Sequence, residues 1–119
     1  MIYDLPQNFL VCVGTVDEQN RLNNYLEFVS SLICVPIEPA GFDYRNRPRG
    51  YRYVYFNGHK KGYGWFNDSK VGYERSRERG EYQFIPQEWW MLSVEELISK
   101  FNSILGIGAD ISVEISELL

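Results

Sequence analysis

Apolar residues near the start of the chain alternate at a period of two. Phe9, Val11 and Val13 share one parity and Leu10 and Cys12 the other, so Asn8 to Gly14 is predicted as a central strand with both faces covered. Thr15-Val16-Asp17-Glu18 then matches a capping box, in which the threonine hydroxyl accepts an orphan amide proton while Glu18 reaches back. A helix is expected to follow. Its buried stripe is Leu22, Tyr25, Leu26, Val29 and one of Leu32 and Ile33, which leaves Glu18, Asn20, Asn23, Asn24 and Glu27 for solvent.

The pattern then breaks. Leu32 to Ile37 suits a short extended piece, and Pro36, Pro39, Gly41, Pro48 and Gly50 punctuate a long loop. Tyr51 to Phe56 reads as a strand, Asn57-Gly58 as a turn and Gly62 to Asn67 as the returning strand of a hairpin. Asn67 to Gly80 is polar and charged and is read as a loop, with room for a further strand at Tyr82 to Ile85 before Pro86. Ser93-Val94-Glu95-Glu96 is a second capping box, with Leu92 and Leu97 placed as a hydrophobic staple. Val94, Leu97, Ile98, Phe101, Ile104 and Leu105 form that helix's buried stripe, and Gly106 is placed to end it. Ile111, Val113 and Ile115 alternate with polar residues as a last, half-exposed strand.

Strand, helix, hairpin, helix, strand is the order of an α+β, ferredoxin-like β-α-β-β-α-β sandwich, here with an inserted loop and an optional extra strand, its two helices packed on an antiparallel sheet. The alternative is an antiparallel meander from 51 to 86 covered by two helices. A chain of 119 residues is expected to form one domain.

Charge changes this picture. Ten of the twelve Lys and Arg residues fall between positions 45 and 79, where only Asp68, Glu74 and Glu78 oppose them, so that stretch carries +7. The remainder holds two basic residues against thirteen acids, or −11, and the net is −4. No basic, apolar leader opens the chain, and no apolar run approaches the ~20 residues needed to span a bilayer. Cys12 and Cys34 sit among apolar neighbours, which suits buried thiols in a reducing, cytoplasmic protein.

A search for catalytic chemistry finds little. His59 lies beside Lys60 and Lys61 in the predicted turn, with no carboxylate partner or second metal ligand close in sequence. Gly62-Tyr63-Gly64 and Gly106-Ile107-Gly108 lack the third glycine and the strand-to-helix setting of a dinucleotide loop. Glu95 and Glu96 belong to a helix start, where carboxylates are favoured by the dipole. No enzyme, cofactor or metal is expected. The basic stretch is the candidate instead: Arg45, Arg47 and Arg49 share parity with Tyr51 and Tyr53, Arg52 lies between them, and His59, Lys60 and Lys61 follow at the hairpin. Guanidinium forks match phosphates or carboxylates, and aromatic rings stack on bases or fill partner pockets. The plainer reading is a solvated sheet face paired with the acidic remainder.

Lys61-Gly62-Tyr63-Gly64-Trp65-Phe66 resembles the start of the RNP1 signature of RNA-recognition motifs, which implies base stacking by Tyr63 and Trp65. Asn67-Asp68 depart from that signature, and Asn8 to Val13 makes a poor RNP2. The layout of an apolar first strand, capped helix, aromatic hairpin, Phe-Ile-Pro stretch and Ser-x-Glu-Glu-Leu helix is similar to that of small bacteriophage accessory proteins. That resemblance implies a non-catalytic inhibitor or counter-defence protein, for example an anti-CRISPR, that occupies a host or bacterial protein, or its nucleic-acid or nucleotide ligand. Two other expectations stand beside it: an RNA- or single-stranded-DNA-binding protein, and an acidic immunity or antitoxin protein using Glu88, Glu95, Glu96, Glu114 and Glu117.

Overall fold

The apolar first strand organises the sheet. In the computed structural model, which describes residues 5–39, 52–59, 62–68, 70–83 and 85–107, β1 (Asn8–Val13) pairs along its whole length with β2 (Arg52–His59). The pairing is antiparallel, and β2 pairs in turn with β3 (Gly62–Asp68), also antiparallel. On its other side β1 takes a two-residue parallel strand, β4 (Leu92–Ser93), so the sheet order is β3-β2-β1-β4. Both parities of β1 are buried, Phe9, Val11 and Val13 on one face and Leu10 on the other. The sheet is therefore a middle layer.

Helix α1 (Val16–Ile33) starts where the threonine cap predicts, with Thr15 Oγ1 accepting from the Glu18 amide at 3.1 Å. Its stripe ends on Ile33, which is buried, whereas Leu32 is exposed. Cys34 closes the helix in the left-handed region, with φ of 57°. Helix α3 (Val94–Leu105) carries the reciprocal capping box, Ser93 Oγ taking the Glu96 amide and Glu96 Oε1 taking the Ser93 amide. Gly106 ends it with φ of 71°. Phe101 joins this helix to the sheet and to α1, because its ring meets Phe9 edge-on at 5.3 Å and Tyr25 at 6.5 Å. Tyr25 Oη also donates to Asn102 Oδ1 at 2.5 Å, so the only buried polar side chain among the described residues has its partner in the opposite helix.

Three expectations are corrected. The α+β class holds, but the split βαβ pairing does not: the strands flanking α1 are direct antiparallel neighbours, and β4 runs parallel to β1. Asn57-Gly58 is not the hairpin turn, since β2 runs on to His59, which pairs with Gly62. Gly58 is instead a notch: a Cβ there would stand 2.8 Å from Tyr63 Cε1 and 2.9 Å from the Gln7 carbonyl oxygen. Asn67 to Gly80, read as a loop, contains helix α2 (Lys70–Glu78), while no strand forms among the described residues of Tyr82 to Ile85. The extended piece after α1 survives as one parallel bridge, Ile37 to Tyr63. The last strand, Ile111 to Ile115, lies outside the described residues.

Candidate binding surface

Lys, Glu and Arg are good helix formers, and they supply most of α2. Tyr73 and Arg77 stand one turn apart on its inner side, and Tyr73 is almost fully buried. The helix lies against β2. Glu74, Arg75, Glu78 and Arg79 occupy exposed positions on it or just past its end. Gly80 lets the chain leave with φ of 87°, a left-handed conformation that a side chain would strain.

Tyr73, Tyr82 and Trp90 form an aromatic cluster separate from the Phe9–Phe101 group. Tyr73 lies 5.2 Å from Tyr82 and meets Trp90 edge-on at 6.4 Å, and Tyr82 lies 6.0 Å from Trp90. Tyr82 and Trp90 are half-buried, so this cluster reaches the surface. The Arg77 guanidinium carbon sits 4.4 Å above the Trp90 ring, and Arg77 Nη2 donates to Gln87 Oε1 at 2.6 Å. Such a stack contributes on the order of 0.5–1 kcal/mol at an exposed site. Nearby, Arg79 Nε pairs with Glu81 Oε1 at 3.2 Å. Hydrogen bonds from Ser76 and Arg79 hold the Glu81 carboxyl below the usual range for a glutamate.

The adjacent tryptophans serve different clusters. Trp89 points into the core, 5.8 Å from Phe101 and 6.5 Å from Phe9, with the Lys100 ammonium 5.2 Å from its ring. Trp90 joins the α2 cluster, and Met91 adopts a left-handed φ of 56° directly after it. Alternation alone cannot assign the two rings, because they belong to a 3₁₀ turn (Gln87–Trp89) and its exit.

Of the residues proposed from sequence, Arg45, Arg47, Arg49, Tyr51, Lys60 and Lys61 lie outside the described residues. Arg52 and Tyr53 pair with Val13 and Cys12 in the β1–β2 ladder, and His59 and Trp65 pair with Gly62 and Phe56 in the hairpin. Tyr63, given a stacking role by the RNP1-like resemblance, lies in the core. It is 3% exposed, its ring meets Phe9 edge-on at 5.5 Å, and its hydroxyl donates to the Pro6 carbonyl at 2.5 Å. Burial pushes its phenol well above the ordinary value. A ring held that way belongs to the core. The residues missed are Arg75, Arg77, Tyr82, Gln87 and Trp90; the arginines were visible as charge, but their placement beside Trp90 requires the helix.

Between α1 and α3, Arg21 bridges Glu95 with N–O distances of 2.8 and 3.1 Å. This tie brings Asp17 and Glu18 of the first α1 turn near Glu95 and Glu96 of the first α3 turn. Among the described residues no group of three His, Cys, Asp or Glu side chains could hold a metal ion, and no helix is long and apolar enough to cross a membrane. Comparison with known protein families, curated proteins and solved structures finds no match to the chain.

Proposed function

We propose that this chain is a non-catalytic binding protein of the inhibitor kind that small phage accessory proteins represent, a counter-defence factor occupying an anionic site on a bacterial host protein or its nucleic-acid or nucleotide ligand. The observation that carries the reading is half-buried Arg77 lying over Trp90 in the cluster that Tyr82 joins, with exposed Arg75 and Arg79 carried by the same helix and its exit. Arg, Trp and Tyr are the residue types in which interface energy concentrates, and a ring already fixed by its neighbours loses little entropy when it meets a partner. The burial of Tyr63 weighs against the RNA-recognition alternative by removing one of its two stacking positions.

Co-purification from a bacterial lysate tests the proposal, with the unaltered chain compared against Arg75→Glu/Arg79→Glu. A stoichiometric partner, protein or nucleotide, held by the first and lost by the second is the expected result. No saturable partner, or one indifferent to the reversal, contradicts it. The acidic-protein alternative is favoured by the adjacent first turns of α1 and α3 and makes the opposite prediction: Glu95→Lys/Glu96→Lys would release the partner while the arginine variant kept it.

A further inference from the structure

Two arginines of the described residues find a carboxylate, Arg21 in Glu95 and Arg79 in Glu81. Arg77 does not follow this pattern. Arg77 is half-buried as a residue, its guanidinium lies over Trp90, and its hydrogen-bonding partner among the described residues is the neutral carboxamide of the exposed Gln87. Glu78 is its immediate neighbour and Glu74 and Glu81 lie one helical turn away, yet no carboxylate among the described residues bonds to Arg77. A guanidinium has five N–H donors in a rigid fork, and one contact to Gln87 leaves most of that fork unused. The contact with the indole and the bond to Gln87 together restrict the group in advance, so an incoming oxyanion has less side-chain freedom to quench.

We infer that Arg77, held over Trp90 and steadied by Gln87, is an oxyanion-binding site whose ligand is a side-chain carboxylate of a protein partner. The inference rests on the reading that this face of α2 binds a partner, and it names the contact. The surroundings choose carboxylate over polyphosphate. Glu74, Glu78 and Glu88 are exposed on the same elements, and they would repel a nucleic-acid strand along its length while tolerating a single carboxylate at one point. Gln87 supplies the selectivity device: its carboxamide oxygen orients the fork without neutralising it. A glutamate at that position would satisfy Arg77 from within.

The test is a titration of the full chain with hexaglutamate, followed by tryptophan emission and repeated with a twelve-residue oligothymidylate. Trp90→Phe identifies the part of the signal that comes from the stacked ring. Saturable binding of hexaglutamate is expected, weakened about tenfold or more by Arg77→Lys, which keeps the charge but loses the fork. Gln87→Glu is expected to weaken it at least as much while leaving the thermal midpoint unchanged or raised, so that lost binding cannot be assigned to lost folding. Arg75→Gln, which removes an exposed charge of the same sign, should cost less than about threefold. The inference is overturned if hexaglutamate does not saturate, if Arg75→Gln costs as much as Arg77→Lys, if Gln87→Glu binds normally, or if the oligothymidylate binds as tightly through Arg77. A partner released by Arg75→Glu/Arg79→Glu but indifferent to Gln87→Glu would leave the proposed function standing and this site refuted.

Discussion

Replacing Gly58 by alanine adds one methyl group at a place with no room for it. The new carbon would stand 2.8 Å from Tyr63 Cε1, 3.1 Å from Tyr63 Cζ and 2.9 Å from the Gln7 carbonyl oxygen. Neither neighbour can yield cheaply. The Gln7 carbonyl accepts the Gly58 amide at 2.6 Å, and the Tyr63 ring is wedged against Phe9 with its hydroxyl committed to Pro6. Overpacking of this kind costs about 1–3 kcal/mol, and displacing the Tyr63 hydroxyl would add about 1 kcal/mol. Alanine offsets roughly 0.5–1 kcal/mol of that by restricting the unfolded chain more than glycine does. The net expectation is a loss of about 1–3 kcal/mol. Urea unfolding followed by circular dichroism reads it as a midpoint lowered by roughly 1 M, given a slope of about 1–3 kcal/mol/M. In a Tyr63→Leu background, where the two crowding ring atoms are gone, the cost of Gly58→Ala should shrink. If Gly58→Ala is neutral or stabilising in the native background, the residue is not a packing notch and the account of the hairpin fails.

Other consequences follow from the same contacts. Tyr25→Phe removes the buried hydrogen bond to Asn102 Oδ1, which should cost about 0.5–1.5 kcal/mol in urea unfolding; an unchanged midpoint would contradict the α1–α3 link. Cys34→Gly relieves a non-glycine φ of 57° at the end of α1 and should raise the thermal midpoint, with a gain of up to about 1 kcal/mol; a lower midpoint would show that the thiol contributes more than the strain costs. Burial lifts the phenols of Tyr25 and Tyr63 above the ordinary 10.0, so above that pH the unfolded chain releases protons that the folded chain keeps. Stability therefore falls with rising pH in that range, by about 1.4 kcal/mol per unit for each group, and these two phenols contribute no slope below it. Urea midpoints measured from about pH 9 to pH 11 should show the fall, and it should be smaller in Tyr25→Phe; a flat profile would contradict the burial of both rings.

The helices were the most legible part of the chain. Thr15 and Ser93 announce the starts of α1 and α3, and apolar stripes at helical spacing name most of the buried residues, although Ile104 and Leu105 at the end of α3 are only half-buried. The alternation of β1 likewise forecast a strand covered on both faces. Helix α2 was not legible because Tyr73 is its main apolar contact, and the adjoining inward position is taken by Arg77, whose aliphatic stem and flat head do the packing while it reads as a surface charge. Asn57-Gly58 misled for a related reason. Glycine signals a turn and a close approach with the same letter, and only the position of Tyr63 decides between them. Strand order was beyond local pattern, since the direction of β2 depends on how the chain crosses between Cys34 and Arg52. The candidate surface was half visible: charge located the stretch, but the pairing of Arg77 with Trp90 brings together segments separated by Tyr82 to Trp89.

The charge segregation acquires a spatial meaning through the sheet. The first turns of α1 and α3 carry Asp17, Glu18, Glu95 and Glu96, with Arg21 bridging Glu95, whereas α2 and its exit carry Arg75, Arg77 and Arg79, of which Arg77 lies over Trp90 in a separate aromatic cluster. Trp89 and Trp90 place one ring in each aromatic cluster, directly before the segment that leads into α3. The claim that α2 and its aromatic support form the binding face is tested most directly by hydrogen exchange on the chain alone and in complex with its co-purified partner. The account predicts added protection over 70–83 and 87–90. Protection confined to the first turns of α1 and α3, with α2 unchanged, would contradict it.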